Sequence, residues 1–212
     1  ILEDAAWFVS DGRYDTQSKQ QVKGMEILIG SDPHIQILHK HNVFKGKQKI
    51  AFEGDHVSVS DMEKLRLTFP ECDWTATSEI VERIAMVKDE SEIRATRTAV
   101  EITDQTFDQI VPEIRPGVME KEIAAKISYT YKMLGAEADA FDSIIAAGPN
   151  SALPHARPGD REIQAGDFVV LDFGAKYDGY HADMTRTVVV KEVTDKHREI
   201  YETVKQSQKL GC

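Results

Sequence analysis

The residues best suited to chemistry lie in Phe168-Val-Val-Leu-Asp-Phe-Gly-Ala-Lys-Tyr-Asp-Gly-Tyr-His-Ala-Asp-Met-Thr-Arg-Thr-Val-Val-Val190. Two apolar, β-branched runs flank an Asp-Gly turn, the pattern of a β-hairpin. Each arm carries one carboxylate, Asp172 and Asp183. With Tyr177 and Asp178 as a two-residue loop, Asp172 lies directly opposite Asp183. With Asp178 and Gly179 as the loop, Asp172 faces Thr185 and Asp183 becomes its diagonal neighbour. Both registers put the carboxylates on one face, roughly 5–8 Å apart at Cβ. A three-residue loop would put them on opposite faces. Like charges on one face repel, and burial worsens the repulsion; one or two divalent cations are the simplest compensation. The competing reading is a pair of solvated strand-end or turn residues.

A second candidate precedes the hairpin, in Ser143-Ile-Ile-Ala-Ala-Gly-Pro-Asn-Ser-Ala-Leu-Pro-His-Ala-Arg-Pro158. There, His155 sits on a loop leading toward the carboxylate-bearing strand. From such a loop an imidazole can hydrogen-bond a substrate carbonyl or a tetrahedral intermediate, although a loop histidine is more often merely exposed. His181 shares the face of Asp183 under strict alternation, and Arg186 could support the ligands or form an ion pair; a half-exposed strand residue and an ion pair are the favoured readings. His34, His39 and His41 read as a solvated helix face, and Tyr177, Tyr180 and Phe141 as packing residues.

The positioning elements follow from periodicity and punctuation. Ala5-Ala-Trp-Phe-Val9, Glu26-Ile-Leu-Ile29 and Lys49-Ile-Ala-Phe52 read as short strands, with helix-compatible stretches at Tyr14–Val22, Pro33–His41 and Ser60–Phe69. This order implies a sheet with helices packed on it. Style changes near Ser78–Val87, giving an expected division into residues 1–80 and 81–212. Asp89 followed by Glu92 is a capping-box variant. Ile93, Val100, Phe107 and Ile110 then mark one helical face, ended by Pro116-Gly117. A second helix turns Met119, Ile123, Ile127 and Leu134 inward and stops at Gly135. Phe141–Ala147 reads as a strand, and Asp195–Leu210 as a further amphipathic helix. The chain opens almost inside a strand, so an upstream part of the first domain is expected.

Composition narrows the function class. The chain has 212 residues, 41% hydrophobic and 29% charged, with a formal net charge of −10. That acidity argues against a nucleic-acid or anionic-membrane surface. No apolar run reaches bilayer-spanning length. Cys72 and Cys212 show no framework or metal-ligand spacing, which makes a cytoplasmic setting the default.

Phe141-Asp-Ser-Ile-Ile-Ala-Ala-Gly-Pro-Asn-Ser-Ala-Leu-Pro-His155, Leu171-Asp-Phe-Gly174 and Asp178-Gly-Tyr-His-Ala-Asp-Met-Thr-Arg-Thr187 together resemble the Xaa-Pro peptidases. These are the aminopeptidase P and prolidase branch of the pita-bread metallopeptidases. The resemblance extends over Val81 to Cys212, through Lys88-Asp-Glu-Ser-Glu-Ile93; the first part resembles that family's α/β amino-terminal domain. It implies an α+β chain: a creatinase-type α/β domain, then the first half of a pita-bread domain with a curved antiparallel sheet. It also implies that Asp172 chelates one metal ion, that Asp183 bridges two, and that His155 contacts substrate. The implied cofactors are two divalent ions, Mn²⁺ first, with Zn²⁺ or Co²⁺ as alternatives. The implied reaction is hydrolysis of peptides with proline at the second position, through a metal-bridging hydroxide. The implied assembly is a homodimer.

The remaining ligands of that family, a His and two Glu, are expected downstream of Asp195–Leu210. Without them the chain alone is expected to be inactive or nearly so. Two alternatives follow: a catalytically silent pita-bread interaction module, and a creatinase-like hydrolase that needs no carboxylate pair.

Overall fold

A computed structural model describes residues 1–2, 4–46 and 49–211, so Cys212 lies outside the described residues. The chain forms two compact units, Ile1–Val87 and Lys88–Cys212.

The first unit runs β1 (Trp7–Ser10), α1 (Asp15–Gln21), β2 (Glu26–Ile29), α2 (His34–Lys40), β3 (Lys49–Glu53), α3 (Val59–Thr68), β4 (Asp73–Thr77) and α4 (Ile80–Ala85). β1 pairs parallel with β2, and β3 pairs parallel with β4. A parallel pair needs a crossover, supplied by α1 and α3 respectively. Three strands and three helices match the sequence reading; β4 and α4 do not appear in it. Asp73-Trp-Thr-Ala-Thr77 carries a single large apolar side chain, so it presents no apolar run to recognise. Leu28, Ile37 and Val43 form the buried centre. Phe44 meets Phe69 edge-on at 4.9 Å between centroids, and Trp74 joins the same aromatic group. His34, His39 and His41 are exposed, as expected of a solvated face.

The second unit contains α5 (Glu90–Ile110), α6 (Glu120–Met133), β5 (Ala138–Asp139), β6 (Ile144–Ala147), β7 (Phe168–Phe173), β8 (Ala175–Tyr177), β9 (Tyr180–His181), β10 (Met184–Val189) and α7 (Asp195–Gly211). Two antiparallel three-stranded sheets result, ordered β10-β7-β6 and β5-β8-β9. The Asp89–Glu92 capping box starts α5 as the sequence indicates. Its buried face is only partly the expected one: Ile110 is buried and Phe107 packs against the core, as expected. Ile93 and Val100 are 37% and 44% exposed, whereas Ala95, Ala99, Ile102, Thr103, Thr106 and Ile110 are buried. Small side chains let the helix lie close to its neighbours. Thr103 is tolerated there because its hydroxyl bonds backbone twice: Oγ1 donates to Ala99 O at 2.8 Å and accepts from Ala175 N at 3.0 Å, whereas the Thr106 hydroxyl is buried with no hydrogen-bond partner among the described residues. Such a face is hidden from a reading that counts large apolar residues.

α6 buries Ile123, Ile127 and Tyr131 completely, and Gly135 adopts φ +96° where the helix stops. Strand β7 alternates: Val169, Leu171 and Phe173 are fully buried, while Phe168, Val170 and Asp172 are half-buried. On the buried side Phe173 packs on Tyr131 and Phe107. Asp172 therefore points to the side away from this core.

Gly174 is the corner at which the chain leaves β7 for β8. A Cβ there would lie 1.9 Å from the carbonyl oxygen of Ala182. Backbone, unlike a flexible side chain, cannot move aside cheaply. Gly174→Ala is accordingly expected to destabilise the second unit by about 1–3 kcal/mol, read as a lower denaturant midpoint at unchanged m-value. Thr103→Val keeps the shape but strips Ala175 N–H of its acceptor. It is expected to cost about 1–3 kcal/mol by the same measurement, and an unchanged midpoint would show that the bond contributes nothing.

Candidate metal centre

The hairpin settles the register left open by its sequence. Tyr177 pairs with Tyr180 and Lys176 with His181, so Asp178-Gly179 is the loop. Both loop residues have positive φ, 48° and 79°, as a two-residue type I′ turn requires. Thr185 then faces Asp172 across β7 and β10, and Asp183 is the diagonal neighbour. Both carboxylates lie on one side of the corner at Gly174, whose pinched contact with the 182–183 backbone fixes where Asp183 begins.

Asp172 sits in the central strand, between Ile144 of β6 and Thr185 of β10. Thr185 Oγ1 donates to Asp172 Oδ1 at 3.1 Å. Burial pushes the Asp172 carboxyl above its ordinary pKa. The Thr185 hydroxyl opposes that shift, the charge and hydrogen-bonding contact of Asp183 add to it, and His155 pulls it back. The other two candidate residues, Asp183 and His155, thus both act on the Asp172 carboxyl group. Asp183 and His155 are both exposed, so the group opens to solvent on their side.

Other candidates fall elsewhere. His181 is exposed in the short strand β9. Arg186 donates to the Thr185 carbonyl at 3.0 Å and forms no ion pair among the described residues. Tyr180, read as a packing residue, donates its hydroxyl to Glu92 Oε1 at 2.8 Å and ties the hairpin tip to the start of α5. In the first unit Glu53, His56 and Glu82 bring possible ligand atoms within 4.8 Å of one another. All three are exposed, and acidic surface groups commonly cluster without an ion. Asp172, Asp183 and His155 form no such tight trio, which leaves His155 standing off from the two carboxylates.

The donor set fits a hard divalent cation. Asp172 and Asp183 offer oxygen only, and no lysine or arginine neutralises either among the described residues. Sequence reasoning missed one further carboxyl group. Glu120, at the start of α6, is completely buried and accepts from the Ala147 and Gly159 amides and the Asn150 side chain. A helix-start glutamate carries no mark of a long-range role, so no local signal could have found it.

Comparison with known proteins agrees with this layout. Residues 1–87 match the creatinase/prolidase N-terminal domain and residues 94–212 match metallopeptidase family M24. A peptidase of Bacillus subtilis, YqhT, is 35% identical over 211 residues, which is all of this chain and 60% of the relative. The Xaa-Pro dipeptidase of Pyrococcus furiosus is 38% identical over 80% of this chain and 48% of its own length. Among solved structures, the Xaa-Pro dipeptidase from Bacillus anthracis superposes with a TM-score of 0.92 at 38% identity, covering 98% of this chain and 58% of that one. An X-Pro aminopeptidase from Thermotoga maritima gives 0.91 at 37% identity, covering 99% and 59%. The chain thus spans about 60% or less of the length of these relatives. With both units matched by family models, the chain belongs to metallopeptidase family M24.

Proposed function

We propose that the protein carrying this chain is a metal-dependent Xaa-Pro peptidase, and that Asp172 and Asp183 are the metal ligands supplied here. The observation that carries the reading is the half-buried Asp172, held beside a second carboxylate with no lysine or arginine paired to either among the described residues. The relatives named as Xaa-Pro dipeptidases support the substrate class.

Two divalent ions are proposed, with Mn²⁺ first because the donors are carboxylate oxygens. Ions held there would supply a water of lowered pKa and Lewis-acid stabilisation of the carbonyl oxygen. The remaining work falls to this chain. Thr185 orients Asp172 through its hydroxyl, so the carboxylate presents its other oxygen outward. Asp183 lies on the exposed side, where a peptide can approach. His155, on its loop, is placed to donate a hydrogen bond to the oxygen of the carbonyl preceding proline. Two carboxylates without further protein ligands hold Mn²⁺ weakly, so the 212-residue chain alone is proposed to be inactive or nearly so.

The direct test is hydrolysis of Xaa-Pro dipeptides and of longer peptides with proline second, by the full-length gene product with Mn²⁺. A folded sample with no rate above the metal-only blank overturns the reading. Asp183→Asn is expected to lower kcat/KM on the order of 10²–10³-fold. Asp172→Asn separates ligation from folding. Because burial and Asp183 disfavour the charged form of Asp172, its neutral isostere should leave the melting temperature of the metal-free protein unchanged or higher. The same variant should lose the rise in melting temperature that Mn²⁺ confers on the wild type; an undiminished Mn²⁺ shift would remove Asp172 from the ligand set.

A further inference from the structure

His155 lies at the exposed part of a segment whose two ends meet at one side chain. The segment leaves β6 at Ala147, turns through Gly148-Pro-Asn-Ser-Ala152, and returns at Gly159. Glu120 Oε1 accepts from Ala147 N at 2.8 Å and from Asn150 Nδ2 at 3.0 Å. Its Oε2 accepts from Gly159 N at 3.2 Å and from the same Asn150 amide at 3.2 Å. One buried side chain therefore closes both ends of the loop and its first turn. The backbone of α6 adds to the seam, since Lys121 N donates to Gly159 O and Glu120 N to Arg161 O, each at 3.1 Å.

Between these anchors the loop holds itself. Ser151 Oγ donates to Gly148 O at 2.6 Å, Leu153 N donates to Asn150 O at 2.9 Å, and Ala156 is buried next to His155. Gly148 takes φ +51° and packs where a Cβ would collide with Arg161 and Asp167, so its turn has little freedom to shift. His155 itself has no hydrogen-bond partner among the described residues, so its placement depends on the anchoring of the loop.

We infer that Glu120 is a positioning residue that holds the 147–159 loop, and through it the His155 imidazole, in register with the Asp172–Asp183 face. The catalytic half of this inference rests on the peptidase reading above, whereas the anchoring half does not. Glu120→Gln is nearly isosteric, yet in either orientation its amide –NH₂ faces an N–H donor that a carboxylate oxygen now accepts. Donor against donor opens the clasp.

The first measurement is hydrogen–deuterium exchange of the full-length protein at matched far-UV circular dichroism. Glu120→Gln should speed exchange in the 147–159 segment and leave α5 and β7 unchanged. Uniformly faster exchange across the second unit would reduce Glu120 to a general core fastener and overturn the inference. If that variant does not fold, Asn150→Ala removes only the side-chain half of the clasp. The same local pattern should then appear more weakly, and unaltered exchange would overturn the inference.

The second measurement is a double-mutant cycle on Xaa-Pro hydrolysis with Mn²⁺. Glu120→Gln alone should lower kcat by on the order of 10–10²-fold with little change in KM. In a His155→Ala background the same substitution should have almost no further effect on kcat. Additive losses would show that Glu120 does not act through His155. A wild type that hydrolyses no Xaa-Pro peptide would sink the peptidase reading and this catalytic half with it, and leave the exchange result to decide the anchoring.

Discussion

Two like charges share a partly dry sheet face, and much of the second unit is arranged around that constraint. β7 alternates, so burying Val169, Leu171 and Phe173 against the helices turns Asp172 to the other side. There it meets Thr185 directly and Asp183 diagonally. A hydroxyl offsets part of the desolvation, but the second carboxylate adds to it. Double-sided burial of an uncompensated pair would cost several kcal/mol per ion, so the arrangement is tolerable because Asp183 reaches water. A cation bound there, as proposed above, would offset the remaining repulsion.

Holding the pair in that state needs a rigid corner rather than more contacts. The chain leaves one three-stranded sheet and enters another at Gly174, where the 182–183 backbone passes too close for any side chain. Thr103 reaches from α5 to accept from Ala175 N, and Ala140 N donates to Gly174 O at 2.8 Å. At the far tip, Glu92 serves two ends at once. Its Oε2 accepts from Asp89 N to complete the helix cap, and its Oε1 accepts from the Tyr180 hydroxyl. The start of α5 and the tip of the hairpin are thus set by one side chain, which links helix capping to carboxylate placement.

What could be read from the sequence was what adjacent residues dictate. The hairpin around Asp178 (though not its register), the Asp89–Glu92 cap, the Gly135 stop and the alternation through Asp172 are each set within a few positions, and the structure realises them. The inward face of α5 is only partly legible because much of its packing is done by Ala95, Ala99, Thr103 and Thr106 beside Ile102 and Ile110, while Ile93 and Val100 stay partly exposed. Strand β4 is hard to see in the sequence because it carries a single large apolar side chain, Trp74, which packs on Phe69 nearby and on Phe44 thirty positions earlier. Glu120 escaped because its partners lie 27 to 39 positions away, and nothing local distinguishes it from an exposed helix-start acid.

The acids of the second unit also differ in how far their oxygens are satisfied, which separates the structural carboxyl of Glu120 from the proposed ligand Asp172. Glu120 is the more deeply buried, yet both its oxygens are already occupied by N–H donors from three residues. It has no free lone pair facing open space and nothing for a cation to neutralise that hydrogen bonding has not satisfied. Asp172 is less buried but receives one hydroxyl and faces another carboxylate. The quantity that separates them is the donor supply around each oxygen: the fold fills it at Glu120, and leaves it short at Asp172 beside a second negative charge, a shortfall that the proposed cation would make good.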